Sequence, residues 1–179
     1  MNILILGATG FIGSAAAQRL LADGHSITGL ARNPETARNR QPHIRWVEGD
    51  LRNFTAPSSW LPLLSGIEVV VNCAGALQDT MRDDVSAVQQ DAMLALFEAA
   101  STFANIRIIQ ISAPRSLAAS GTEFMDTKLA ADAALAASGS TAGAAGAGAA
   151  SRQRASAAST SEVCRSPPPP VCAIWPRRE

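Results

Sequence analysis

A chain of 179 residues, 47% of them hydrophobic, has the size for one domain with a substantial core. Fifteen basic residues balance fifteen acidic ones, so no global field draws the chain to nucleic acid or to an acidic membrane surface. Cys73, Cys164 and Cys172 are too few and too scattered for a disulfide framework, neither histidine stands at a metal-ligand spacing from them, and no apolar run reaches about eighteen residues. A cytoplasmic protein with no metal site and no membrane anchor of its own is expected.

The apolar run Asn2 to Leu6 reads as a buried parallel strand, and it feeds straight into Gly7-Ala-Thr-Gly10-Phe-Ile-Gly13. A helix follows from about Phe11 to Ala22, with Phe11, Ala15, Leu20 and Leu21 largely on one side and Gly24 placed to end it. Strand, glycine turn and helix together form a dinucleotide-binding unit. The glycines let the backbone bend tightly and approach a pyrophosphate, and the helix N-terminus, with its unpaired N–H groups and positive dipole end, favours the anion. The spacing is G-x-x-G-x-x-G, so the glycines gain their weight from the strand before them and the helix after them.

Ser26 to Ala31 is a second strand, and Ile44 to Val47 a short third strand ending at Glu48-Gly-Asp50-Leu51. Pro57 to Leu64 reads as a helix with proline in its first turn. Glu68 to Cys73 is the fourth strand, and a long helical pattern from about Asp84 to Phe103 carries Val85, Val88, Met93, Leu96 and Phe97 as core contacts. Ile106 to Ile111 supplies the fifth strand, and a last helix runs from about Thr122, its N-cap, to Ala137. Strands separated by helical crossovers imply an α/β fold, a Rossmann-type doubly wound parallel sheet of about five strands in the order 3-2-1-4-5 with helices on both faces.

At Gly139 the composition changes. From there to Glu179 the chain has no leucine and is dominated by Ala, Gly, Ser, Pro and Arg without a period of two or of 3.6. Residues 1–138 are therefore expected to form the nucleotide-binding domain, and 139–179 a disordered tail that adds no strand to the sheet and leaves the fifth strand as an exposed edge. Two origins fit this tail: a frameshift near codon 139 that replaced the native C-terminus, or a genuine low-complexity segment.

The marks at the strand ends resemble the short-chain dehydrogenase/reductase superfamily, in its extended or atypical branch of NmrA-like and epimerase-like proteins. They are Gly7 to Gly13 after the first strand, Gly49-Asp50-Leu51 after the third, Asn72-Cys-Ala-Gly75 after the fourth and Ile111-Ser112-Ala113 after the fifth. All fall at the carboxyl ends of strands, where open α/β sheets bind ligands. The resemblance implies a nucleotide held by Gly7, Thr9, Gly10, Phe11, Ile12 and Gly13, with Asp50 accepting from the adenine amino group and Leu51 packing on its ring. Ala74 and Gly75 would leave room beside the nicotinamide ribose.

The second strand ends with Arg32 where an NAD-selective site usually carries a carboxylate for the ribose diol. A guanidinium there can grip a 2′-phosphate, so NADP(H) is favoured over NAD(H), the competing reading being a solvated loop charge.

Catalytic members of the superfamily use a Tyr-x-x-x-Lys pair. This chain has no tyrosine, and the corresponding segment is Phe124-Met-Asp-Thr-Lys128. Phenylalanine cannot act as acid or base, so the usual proton relay is absent. By the resemblance, Lys128 would still bind the nicotinamide ribose and Ser112 would match the substrate-polarising serine; the alternatives are an exposed helix charge and a pocket-lining hydroxyl.

These features point first to an NADP(H)-binding, nucleotide-sensing protein like the NmrA-like redox sensors or the nucleotide-binding accessory subunit of respiratory complex I. A second reading is an NADPH-dependent reductase of a quinone-like or carbonyl acceptor, or an epimerase-like enzyme, and a third is a scaffold or assembly subunit. The small-molecule or protein partner is left open.

Overall fold

The structure is a computed structural model, and it describes residues 1–75, 84–112, 122–138 and 142–146. Its centre is the strand β1 (Asn2–Leu6), in which Ile3, Leu4, Ile5 and Leu6 are all buried. Successive side chains of a strand point to opposite faces, so a fully aliphatic strand needs cover on both. Leu4 and Leu6 face one core, and Ile3 and Ile5 face the other.

Around β1 stand β2 (Ser26–Ala31), β3 (Arg45–Glu48), β4 (Val69–Asn72) and β5 (Arg107–Ser112), all parallel and ordered 3-2-1-4-5 as the alternation of elements implies. Helices α1 (Phe11–Ala22) and α2 (Pro34–Arg40) cover the Ile3 face through Ala17 and Ala37. Helices α3 (Pro57–Leu64), α4 (Ala92–Ser101) and α5 (Glu123–Ala137) cover the Leu4 face through Trp60, Leu64, Met93, Leu96, Ala131 and Leu135. The α4 axis is extended at its N-terminal side by a π-helical turn, Ala87–Asp91, in which Gln89 is buried. Val85, Met93, Leu96 and Phe97 are buried as expected, whereas Val88 is only half-buried.

Three differences from the sequence reading have physical causes. First, α1 does not turn Phe11 inward: Phe11 is 95% exposed, and the helix is seated by Gly13 and Ala17. A helix packed this tightly on its turn presents its smallest residues to the sheet. Second, α2 was not expected from periodicity, because seven residues are too few to show one. Its start is nonetheless written in the chain, with Asn33 accepting from Thr36 N at 2.9 Å as N-cap and Pro34 opening the first turn.

Third, Ala142–Gly146 forms a sixth parallel strand, β6, beside β5, in register from Ile108↔Ala142 to Ser112↔Gly146. The expectation that nothing after residue 138 joins the sheet is corrected, and the edge of β5 is covered. Backbone ladder bonds are independent of side-chain bulk, so an alanine-glycine run can pair where an existing strand offers its edge. The remainder of the expected tail, 139–141 and 147–179, lies outside the described residues, as does Ala113 of the fifth-strand mark.

Candidate functional site

The glycine turn is shaped by two close approaches. Gly7 has φ +71°, and a Cβ on it would stand 2.8 Å from the backbone N of Ala74, so the first turn lies directly on the end of β4. A Cβ on Gly13 would stand 2.2 Å from the Gly7 carbonyl oxygen, which leaves no room for any side chain there. Gly10 N donates to Gly7 O at 2.9 Å and closes the turn. Gly10 is also the N-cap of α1 and brings no side chain to cap it, so the first-turn N–H groups stay available to an outside acceptor. Gln41, after α2, ties the turn from behind by donating from Nε2 to Ala8 O at 3.2 Å, and its own carbonyl accepts from Trp46 Nε1 at 3.1 Å.

A cavity of about 240 Å³ runs across the carboxyl ends of the strands from this turn. Gly7, Thr9 and Gly10 line it from the turn, Leu30, Ala31 and Arg32 from β2, Gly49, Asp50 and Leu51 from β3, Cys73, Ala74 and Gly75 from β4, and Val88 from the π-helical turn. The residues expected at the three strand ends therefore meet in one place. Phe11, 95% exposed, and Ile12, 49% exposed, are not on its wall, and Gly13 is buried behind the turn; these three stand beside the cavity with backbone alone to offer.

Asp50 is tied up in a manner its position in the sequence did not reveal. Its carboxylate caps the 3-10 turn Leu51–Asn53 by accepting from Arg52 N at 3.1 Å, and it takes the Arg52 guanidinium through Nη2 at 2.6 Å and Nε at 3.0 Å. The Arg52 hydrogen bond, reinforced by the charges of Arg52 and Arg32 against an opposing burial cost, holds the carboxyl below the usual carboxylate range. An adenine amino group would share this acceptor with Arg52. The i, i+2 spacing of Asp50 and Arg52 after a strand end was the available clue.

Ser112 and Lys128 are not on the cavity wall. Ser112, at the end of β5, is 9% exposed and donates its hydroxyl to Asp132 of α5. Lys128, one turn after the half-buried Phe124, is 8% exposed, and its Nζ comes within 3.9 Å of where a Cβ on Gly75 would stand. The alternative of an exposed helix charge is thus corrected. Burial lowers the Lys128 pKa, with the charges of Asp132 and Cys73 opposing, and burial raises that of the Cys73 thiol against the pull of Lys128. Sequence reasoning missed Asp132, Gln110 and Gln41 as parts of this region. Among the described residues no group of three His, Cys, Asp or Glu side chains is placed to hold a metal ion, and no helix is long and apolar enough to cross a membrane.

Sheet order, glycine turn and strand-end cavity define a Rossmann-type protein of the extended short-chain dehydrogenase/reductase kind. Residues 3–159 match the NAD dependent epimerase/dehydratase family, and the chain belongs to it. Among solved structures, the enzyme WbmH of Bordetella bronchiseptica, in complex with NAD+, superposes with a TM-score of 0.67 at 18% identity over 81% of this chain and 55% of that one. The UDP-glucuronic acid 4-epimerase of Bacillus cereus, in complex with NAD, gives 0.61 at 20% identity over 77% and 51%. An uncharacterized protein of Saccharomyces cerevisiae is 41% identical over 57 residues, 30% of this chain and 19% of that protein. An uncharacterized protein of Mycobacterium tuberculosis is 33% identical over 75 residues, 41% of this chain and 8% of its own length. This chain spans about half of those structures and less of the curated relatives.

Proposed function

We propose that the chain binds NADP(H) and acts as a nucleotide-binding or redox-sensing member of its family, without the tyrosine-based proton relay. The observation that carries this reading is one cavity lined by the glycine turn, Arg32, Asp50-Leu51 and Ala74-Gly75, opening beside uncapped helix N–H groups. The pyrophosphate would lie against the N–H groups of Phe11 and Ile12, the 2′-phosphate at Arg32, and the adenine between Leu51 and Asp50. NAD(H) complexes of the similar enzymes argue for the dinucleotide, and Arg32 argues for its phosphorylated form. When bound, the dinucleotide would supply hydride chemistry at its nicotinamide ring. Phe124 provides no proton for it, and Lys128 would hold the ribose by its ammonium group.

The test is a titration of the 1–179 chain with NADPH and NADH, followed by fluorescence and thermal shift. Binding that prefers NADPH is expected; a folded sample that binds neither overturns the reading.

Retention of Lys128 beside Gly75, and of Ser112 at the end of β5, favours one second reading, a reductase of a quinone-like or carbonyl acceptor, or an enzyme of sugar nucleotides like the UDP-glucuronic acid 4-epimerase it resembles. Turnover of NADPH across a panel of these acceptors would establish it. The cysteine usage supports a reducing, cytoplasmic setting. For the change of composition at Gly139 a reading-frame shift is the first reading and a genuine low-complexity segment the second; an aliphatic strand followed by Arg-Pro in one of the other two frames of the coding DNA would favour the first, and its absence the second.

A further inference from the structure

On β5 the residues Ile108, Gln110 and Ser112 share the face turned to α4 and α5. After an aliphatic start this row turns polar, although Gln110 is only 1% and Ser112 9% exposed. Polar groups buried on a core face need partners. Asp132, half-buried on α5, supplies them: Oδ1 accepts from Gln110 Nε2 at 2.9 Å and Oδ2 accepts the Ser112 hydroxyl. The chain of bonds goes on. Gln110 Oε1 accepts from Asn72 Nδ2 at 3.1 Å, and Asn72 Oδ1 accepts from Ala74 N at 2.9 Å. Ala74 lines the cavity, and its backbone is the surface on which Gly7 rests. Asp132 also lies one helical turn after Lys128, and its charge favours the ammonium form that burial opposes.

We propose that Asp132 is the positioning residue of the inner, nicotinamide-facing end of the site. It fixes Ser112 directly and the Asn72-Cys-Ala-Gly75 turn through Gln110 and Asn72. The proposal rests on the nucleotide-binding reading above. It also specifies the chemistry of Ser112. A serine has one proton, and Asp132 takes it, so toward a ligand Ser112 offers lone pairs and receives a hydrogen-bond donor, a ribose or substrate hydroxyl rather than a carbonyl.

The experiment compares two probes on the full chain: NADPH, which reaches both ends of the site, and 2′,5′-ADP, which carries only the adenosine end. Asp132→Ala is expected to weaken NADPH about tenfold while 2′,5′-ADP stays within about twofold, since about one charge-assisted contact's worth of ordering is lost at one end only. Asp132→Asn, which keeps one acceptor oxygen, is expected to fall between Asp132→Ala and the parent chain. The change in emission of NADPH on binding, a property of the nicotinamide ring, should diminish in the same order. Ser112→Ala removes only the hydroxyl and is expected to weaken NADPH about threefold, which keeps the question open to test if Asp132→Ala fails to fold. Equal loss of both probes in Asp132→Asn and Ser112→Ala, or no change in either, overturns the assignment. If the parent chain binds neither probe, the nucleotide reading falls and this proposal with it, a result recognisable before any variant is made.

Discussion

The two ends of the candidate site are built from different materials. At the glycine-turn end the contacts on offer come from backbone: uncapped N–H groups of α1, a turn closed by Gly10 on Gly7, and an opening that only absent side chains permit. At the end proposed for the nicotinamide they come from the buried side chains of Asn72, Gln110, Ser112 and Lys128 and from half-buried Asp132, which depend on one another for hydrogen bonds or charge. Backbone recognition serves any dinucleotide and tolerates drift elsewhere in the chain. A side-chain network instead fixes a particular chemistry, and on the proposed reading Phe124 stands where the family's tyrosine would be, one turn before Lys128.

The sharpest way to break this comparison is to fill the glycines. Gly13→Val would drive its side chain into the Gly7 carbonyl, and a loss of more than about 3 kcal/mol, seen as absence of a cooperative melt by circular dichroism, is expected. At Gly10 a Cβ meets nothing nearer than Gly7 O at 3.2 Å, so Gly10→Val should fold yet bind NADPH at least about 100-fold more weakly by titration, because it stands where the pyrophosphate approaches.

Arg32→Glu comes next. Replacing the cation proposed to grip the 2′-phosphate by an anion should swing the NADPH to NADH affinity ratio by about 100-fold toward NADH, read by competitive titration; an unchanged ratio would overturn that role of Arg32.

Lys128→Met probes the other end, where recognition and stability should oppose each other. The folded-state pKa of Lys128 lies below its ordinary value of 10.5, so the folded chain binds fewer protons than the unfolded one across that interval, and the stability of the parent rises with pH toward about 10.5. Lys128→Met removes the buried ammonium and should melt higher at neutral pH, with the gap narrowing as the pH is raised, while NADPH binding weakens. A lower melting temperature would mean that contacts of the ammonium outweigh its burial. The smallest effect is asked of Phe124→Tyr, which puts a phenol one turn from Lys128. Its titration, followed by ultraviolet absorbance, should fall below the usual value of about 10 through the nearby charge.

Much of the adenosine end was legible in the chain because its parts are local. A strand, three glycines and a helix occupy consecutive positions, Arg32 follows directly on β2, and Asp50 stands two residues after β3. The sheet order followed from the alternation of elements, since parallel strands need crossovers. What could not be read is what arises between distant positions. Asp132 looks like an ordinary helix-surface acid until β5 lies beside α5 and brings Gln110 and Ser112 to it. Phe11 looked like a core residue because periodicity gives a helix an apolar side but does not say how closely its first turn is pressed on the sheet. β6 went unseen because its pairing uses only main chain, which leaves no trace in composition.

The link from Trp46 through Gln41 to Ala8 gives the molecule an optical gauge. The indole N–H is anchored on the Gln41 carbonyl, the Gln41 amide holds the loop that would meet the pyrophosphate, and Trp46 itself is 7% exposed in β3. A fluorophore so sheltered emits toward the blue. Any ligand that tightens or shifts the phosphate loop therefore has a route to its emission without an introduced label, and Trp46→Phe, in which only Trp60 and Trp175 emit, gives the control.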